Sequence, residues 1–166
     1  VSARQVDELQ SQLGVQLPEW YTSFLFNAPV AMTTTRNGLG PSAQVPANGG
    51  LLLNPEQIVR LNRDLWADRE TPWMADGSSW PPHVLVIGED GGGNFAAIDL
   101  LASDGRIWWY DHDALEGSLV EIAPNIQVYA EQVIAQFQQN FQLELQKREM
   151  NRMRLERKRR ARTVDP

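Results

Sequence analysis

The chain has 166 residues, 42% of them apolar, with no cysteine and a formal charge of −6. That length suits one domain with a proper core. The absence of cysteine excludes disulfides, thiol nucleophiles and thiolate metal sites, and two histidines (His83 and His112) are too few for a histidine-rich metal centre. Charge is unevenly placed: residues 1–146 carry 6 basic and 18 acidic side chains and residues 147–166 carry 9 and 3, so an acidic body of −12 is joined to a basic tail of +6. An acidic body repels nucleic acid and membrane surfaces and attracts basic partners.

In chain order, Val6, Leu9 and Leu13 share one face of a helix over 3–13, with Ser2 as its N-cap and Gly14 as its stop. A second helix begins at Pro18, whose missing N–H costs nothing there, and turns Tyr21, Phe24 and Leu25 to the core. Residues 27–50 read as a long loop with one short strand around Val30–Thr34. Leu51–Leu53 reads as a strand. Asn54-Pro55 then caps a helix running to about Arg69, with Ile58, Leu61, Leu65 and Trp66 inward and Arg60, Arg63, Asp64 and Asp68 outward. Residues 70–82 form a loop whose tryptophans, Trp73 and Trp80, either cover a core edge or serve as recognition anchors.

The most informative stretch is 84–113. Val84–Ile87 is a β-branched apolar run, Gly88–Gly93 an open turn, Asn94–Leu100 a second strand, Ser103-Asp104-Gly105 a hairpin turn and Ile107–Tyr110 a third strand. Asp111, His112 and Asp113 close this β-meander with an acidic turn. Leu119–Ile122 reads as a last short strand or as the lead-in to a helix. From Pro124, the residues Ile126, Ala130, Val133, Phe137, Phe141 and Leu145 step by three and four. Beyond Leu145 the apolar stripe fades while good helix formers continue, so the helix is expected to run past the body and to fray near Thr163. The expected fold is α+β: a single domain over 1–146 with a mixed or antiparallel sheet, a central β-meander packed by helices and a long C-terminal helix, followed by a basic helical extension over 147–166.

Little in this pattern points to chemistry. Gly88–Asn94 lacks the Lys-Ser/Thr of a phosphate loop, no helix follows it, and Glu89 and Asp90 would repel a phosphate. Asp111, His112 and Asp113, with Glu89 and Asp90 near if the loops converge, have the composition of a metal or acid–base site but are more simply a solvated turn. No catalytic residue, metal or cofactor is assigned.

Two stretches carry a family resemblance. Leu17-Pro18-Glu19-Trp20-Tyr21-Thr22-Ser23-Phe24-Leu25 resembles the LPxxYxxFL opening of the SMI1/KNR4 (SUKH) superfamily. Val84–Leu100, with its Gly88–Asn94 turn and Ile98-Asp99-Leu100 ending, is similar to that family's central strand–turn–strand. Trp109–Asp113 and Glu121-Ile122-Ala123 fit the elements that follow, so the likeness covers residues 3–142. One departure is Asn27-Ala28-Pro29, where the family often has Asn-Gly-Gly. The resemblance implies an α+β fold and, in bacteria, an immunity protein that binds and neutralises a delivered toxin in the cytoplasm; fungal relatives are regulatory adaptors in cell-wall signalling. Neither branch implies an enzyme.

Many delivered toxins are nucleases with basic clefts, which an acidic surface occupies by imitating phosphate. The expected partner-binding residues are Glu89, Asp90, Asp111 and Asp113, with Trp108 and Tyr110 as aromatic anchors if Ile107 and Trp109 face the core. The alternative is that an overlying helix buries both faces of the sheet. The expected partner is a cognate toxin protein; no direct nucleic-acid contact and no membrane are expected, since the basic run 157–160, which could touch nucleic acid, fold back on the acidic body or meet an acidic region of the toxin, is read as a solvated or disordered end.

Overall fold

A computed structural model describes residues 1–33, 50–114 and 119–162, with side chains described to residue 32 in the first segment and residue 156 in the last. The chain folds as helices α1 (Ala3–Leu13), α2 (Glu19–Phe26), α3 (Val30–Thr33) and α4 (Pro55–Ala67), strands β1 (Val84–Glu89), β2 (Phe95–Asp99), β3 (Ile107–Tyr110) and β4 (Leu119–Ala123), and helix α5 (Ile126–Arg162). The strands make one antiparallel sheet in the order β1-β2-β3-β4. This is the α+β architecture with a central meander and a long C-terminal helix that the sequence predicts.

Local signals set the helix ends. Ser2 Oγ accepts from the Gln5 N–H at 3.3 Å while Gln5 Oε1 accepts from the Ser2 N–H at 2.9 Å, a reciprocal cap. Asn54 Oδ1 accepts from the Glu56 N–H at 2.9 Å with Pro55 in the first turn, and Asn125 Oδ1 accepts from the Val128 N–H at 2.9 Å to start α5. Two expected strands differ. Val30–Thr33 is a helical turn, not a strand: it follows Pro29, whose carbonyl accepts the Met32 N–H, and it buries Met32 while leaving Val30 76% exposed. The remainder of the expected 27–50 loop, 34–49, lies outside the described residues. Leu51–Leu53 contributes only a single bridge, Leu51 to Gly88, because Asn54-Pro55 starts α4 at once.

The alternation of β1 divides the core in two. Leu85 and Ile87, with Ala96, Ile98, Ile107 and Ala123, pack under Val6 and Leu9 of α1, Tyr21, Phe24 and Leu25 of α2, and Ile126, Tyr129 and Ala130 of α5. Val84 and Val86, with Phe95, Ala97 and Tyr110, face the other way and are covered by Trp80. Helix α4 lies along the β1 edge, giving Ile58 and Val59 to the first core and Leu65 to the second.

Between those contacts sits Asn62, fully buried. Its Nδ2 donates to the carbonyls of Val86 (2.8 Å) and Ile58 (2.9 Å), and its Oδ1 accepts the Val86 N–H at 2.7 Å. One side-chain amide thus supplies the donor and acceptor that a neighbouring strand would give. Val84 O accepts from the indoles of Trp80 (2.9 Å) and Trp66 (3.3 Å), Ile87 O from the Leu52 N–H, and the Glu89 N–H donates to Gly50 O. The open edge of β1 is therefore closed by side chains and by residues 50–52, which meets the requirement that buried backbone groups be paired.

Helix α5 starts inside the protein and leaves it. Ile126, Tyr129 and Ala130 are buried, Val133 and Ile134 are half-buried against the core, and every residue from Gln142 to Glu156 is exposed. At ~1.5 Å per residue, the part from Gln142 to Arg162 is roughly 31 Å long. Ion pairs Glu144–Arg148 (3.5 Å), Glu149–Arg152 (2.7 Å) and Arg152–Glu156 (4.0 Å) brace it. The helix crosses residue 146 without a break.

Candidate functional site: the acidic end of the sheet

The pairing of Glu89 with Phe95 and of Phe95 with Tyr110 brings the β1–β2 turn and the residues after β3 to the same end of the sheet. A continuous chain of hydrogen bonds joins them. Asp90 Oδ1 accepts the N–H groups of Gly92 (2.7 Å) and Asn94 (3.2 Å), and Oδ2 accepts from Asn94 Nδ2 at 2.7 Å. Asn94 Oδ1 in turn accepts the His112 N–H at 3.0 Å and lies 2.8 Å from His112 Nδ1. His112 Nε2 lies 3.2 Å from Asp113 Oδ1, and the Asp113 N–H donates to Asp111 Oδ1 at 3.0 Å.

Because Asn94 Nδ2 donates to Asp90, Oδ1 is the atom that faces the His112 ring, and it accepts from Nδ1. Hydrogen bonding, first from the Gly92 N–H, lowers the Asp90 carboxyl below the usual carboxylate range.

Two glycines make this geometry possible. Gly50 has φ +90°, and a Cβ there would overlap Glu89 O; Gly93 has φ +98°, and a Cβ there would come within 3.3 Å of the His112 ring. Only glycine reaches such φ values without steric cost.

The expected contact residues fall into four groups. Glu89 and Asp113 are exposed at this end, the Asp113 side chain by 85%, and Asp111 is half-buried beside them with its Oδ1 accepting the Asp113 N–H. Asp90 is exposed too, but its oxygens are engaged in shaping the turn. Tyr110 is buried rather than presented: its ring stacks on Phe95 with centroids 6.0 Å apart, meets Trp80 edge-on at 5.2 Å, and its hydroxyl donates to Trp73 O at 2.7 Å. Burial, with the Asp111 charge second, raises its phenol above the ordinary value. The cover over this face is the tryptophan loop 70–82, which settles the role of Trp80 as a core-edge lid.

Trp108 lies on the same face but two residues back. It is half-buried and lines a shallow cleft of ≈ 280 Å³ with Met74, Pro81, His83, Asp99 and Leu119. The acidic end and the Trp108 cleft are therefore separate parts of one surface.

Asp111, His112 and Asp113 each offer one ligand atom within 4.8 Å of the others. The His112 contacts to Asn94 and Asp113 and the backbone bond to Asp111 account for that closeness as a turn motif. The bracing residues Asn94 and His112 and the closing residue Gly50 were not among the expected site residues. Asn94 directly after three glycines was the available signal, since asparagine side chains commonly close turns.

No described helix is long and apolar enough to cross a membrane. The family model described as SMI1 / KNR4 family (SUKH-1) matches residues 1–132. No curated protein and no solved structure matches the chain.

Proposed function

Because the chain belongs to the SMI1/KNR4 family (SUKH-1), which includes immunity proteins, we propose that it is itself an immunity protein, which binds and neutralises a cognate bacterial toxin by direct contact at the acidic end of its sheet. The observation that carries this reading is the hydrogen-bonded link from Asp90 through Asn94 to His112, which holds together the two loops that bear Glu89, Asp111 and Asp113. Loops held together before binding lose little entropy on engaging a basic partner.

A body of −12 supplies the long-range field that speeds such an encounter towards ~10⁸ M⁻¹s⁻¹ at low salt. A nuclease with a basic cleft is the type of toxin this surface suits. Trp108 adds a half-exposed aromatic edge, and Tyr110 supports the surface from beneath. The carboxylates act here as charges, with no catalytic role.

The test has two stages. A pull-down with the full chain from its source cells is expected to yield one stoichiometric protein that kills cells when expressed alone and is silenced by this chain. Several substoichiometric, non-toxic partners would instead make it a regulatory adaptor. With the toxin in hand, Glu89→Lys, Asp111→Lys and Asp113→Lys together are expected to weaken binding at least ~100-fold, as for buried charge pairs worth a few kcal/mol. The urea midpoint is expected to stay unchanged. Unaltered affinity would remove the acidic end from the interface.

A further inference from the structure

The projecting part of α5 lies beyond the family match, which ends at residue 132, and the toxin-binding reading makes no use of it. Sequence alone reads its basic run as a solvated end and no nucleic-acid contact is expected; its continuity as a helix changes the argument. We propose that the arm from Lys147 to Arg162 binds duplex DNA, lying in the major groove and engaging phosphates of both strands without reading base sequence.

Charge and reach come first. Residues 147–162 hold nine basic and two acidic side chains. Lys147 stands six residues beyond Phe141, the last half-buried residue among those whose side chains are described, or about 9 Å at 1.5 Å per residue. That exceeds the ~8 Å Debye length at physiological salt, so the field of the −12 body is largely screened along the arm. An acidic body therefore does not cancel the attraction of this element for a polyanion.

Distribution and density come next. At about 100° per residue, the nine basic positions are spread round the whole circumference of the helix. A flat acidic protein surface meets one face of a helix, whereas a groove between two phosphate walls meets opposite faces. The arm carries roughly one basic residue per 2.7 Å of axis, against about one phosphate per 1.7 Å of duplex. Seven of the nine are arginine, whose planar fork suits phosphate.

A helix about 10–12 Å across fits the roughly 12 Å major groove of B-form DNA, while the deep, narrow major groove of duplex RNA excludes it. The exposed Leu143, Met150 and Met153 suggest a seam for a partner helix. That seam is broken at Gln146 and spans fewer than two heptads, short of the roughly three to four that sustained coiled-coil pairing needs.

The experiment measures fluorescence anisotropy of a labelled duplex of about 20 base pairs titrated with the full chain over a range of salt. Binding in the range of roughly 1–100 μM is expected at about 0.15 M salt, with log K falling against log salt at about −0.9 per phosphate neutralised. Replacing Arg152, Arg154, Arg157, Arg159 and Arg160 by glutamine is expected to reduce that slope by up to about 4.5 and to weaken binding by at least ~100-fold. The same five positions as lysine are expected to keep the slope, and circular dichroism to show equal helix content in all three proteins. A second duplex of unrelated sequence binds equally, and duplex RNA at least ~10-fold more weakly.

The proposal is overturned by absence of binding at ~100 μM protein in about 0.15 M salt, by equal binding of the glutamine variant, or by binding to duplex RNA or anionic vesicles at least as tight as to DNA. It is equally overturned if sedimentation shows a salt-sensitive dimer that the glutamine variant abolishes, which would make a second copy's acidic body the occupant. None of these outcomes bears on toxin binding at the sheet end.

Discussion

The Asn62 amide offers the sharpest test of how the sheet is held. In Asn62→Leu, the Val86 N–H and C=O lose partners at 2.7 and 2.8 Å inside a site from which water is excluded. An orphaned buried backbone group costs about 1–3 kcal/mol, so two cost about 2–6. Burying an apolar side chain in place of a polar one returns about 1–2 kcal/mol, less whatever the larger leucine needs to fit. The net expectation is a loss of about 2–4 kcal/mol, a large part of the stability of a domain this size.

Urea unfolding followed by tryptophan fluorescence measures it, with Trp66 and Trp80 both hydrogen-bonded to Val84 on the same edge. Asn62→Asp serves as a control of different chemistry. It keeps an acceptor for the Val86 N–H but sets an oxygen against the Val86 and Ile58 carbonyls. Burial raises that carboxyl's pKa in the folded state, so this variant is expected to lose stability as pH rises from about 4 towards 7. A loss below ~0.5 kcal/mol for Asn62→Leu, with an unchanged urea slope, would show that Val86 finds other partners and that Asn62 does not close the edge.

Further expectations follow from single residues. Gly50→Ala places a Cβ against Glu89 O at φ +90°, and a loss of more than ~2 kcal/mol is expected in the same assay, since clash and backbone strain coincide. Tyr21→Phe goes the other way. The Tyr21 hydroxyl is fully buried without a partner among the described residues, and burial drives its pKa upward, so removing it is expected to leave stability unchanged or raise it by about 1 kcal/mol; a loss above ~1 kcal/mol would reveal a partner. The Asp90 carboxyl is more acidic folded than unfolded, so its contribution is present above about pH 3.9 and is lost as pH falls through its lower folded value. The Gly92 amide resonance is expected to shift with a midpoint below that pH in NMR; a midpoint at or above about 4 would contradict the bonds drawn to Asp90. Asn94→Ala unlinks the two loops at the sheet end and is expected to speed hydrogen exchange at the His112 amide; unchanged exchange would mean that the brace is dispensable.

The elements legible in the sequence are those whose periodicity and punctuation agree. Ser2 to Gly14, Asn54-Pro55 and the Ile107–Tyr110 run fall where patterns of three and four, or of two, meet a cap or a glycine. Val30–Thr33 misleads because a β-branched residue after a loop resembles a strand start, while Pro29 favours a helical turn. Asn62 shares the face of Ile58 and Leu65 at intervals of four and three, so its position was readable. Its purpose was not, because the partner, Val86, lies 24 residues away. Tyr110 shows the same limit. Alternation places it opposite Ile107 and Trp109 correctly, but whether that face is wet depends on where loop 70–82 comes to rest. The carboxylates at the sheet end were visible one by one, whereas the Asn94–His112 link that joins them spans 18 residues and needs coordinates.

The strand order has a kinetic consequence. Every strand pairs with its neighbour in sequence, so the sheet closes only short loops, each at small entropic cost. Helix α1, by contrast, meets α4 across about 50 residues, tied there by the Arg63 side chain donating to Gln12 O at 3.1 Å. Contacts of low sequence separation form early and distant ones late. Substitutions in β2 and β3 are therefore expected to slow refolding, whereas Leu9→Ala in α1 is expected mainly to speed unfolding. In such an order the β1–β2 and β2–β3 pairings that bring the acidic loops together precede the packing of α1, and the end of the sheet takes shape while the N-terminal helix is still undocked.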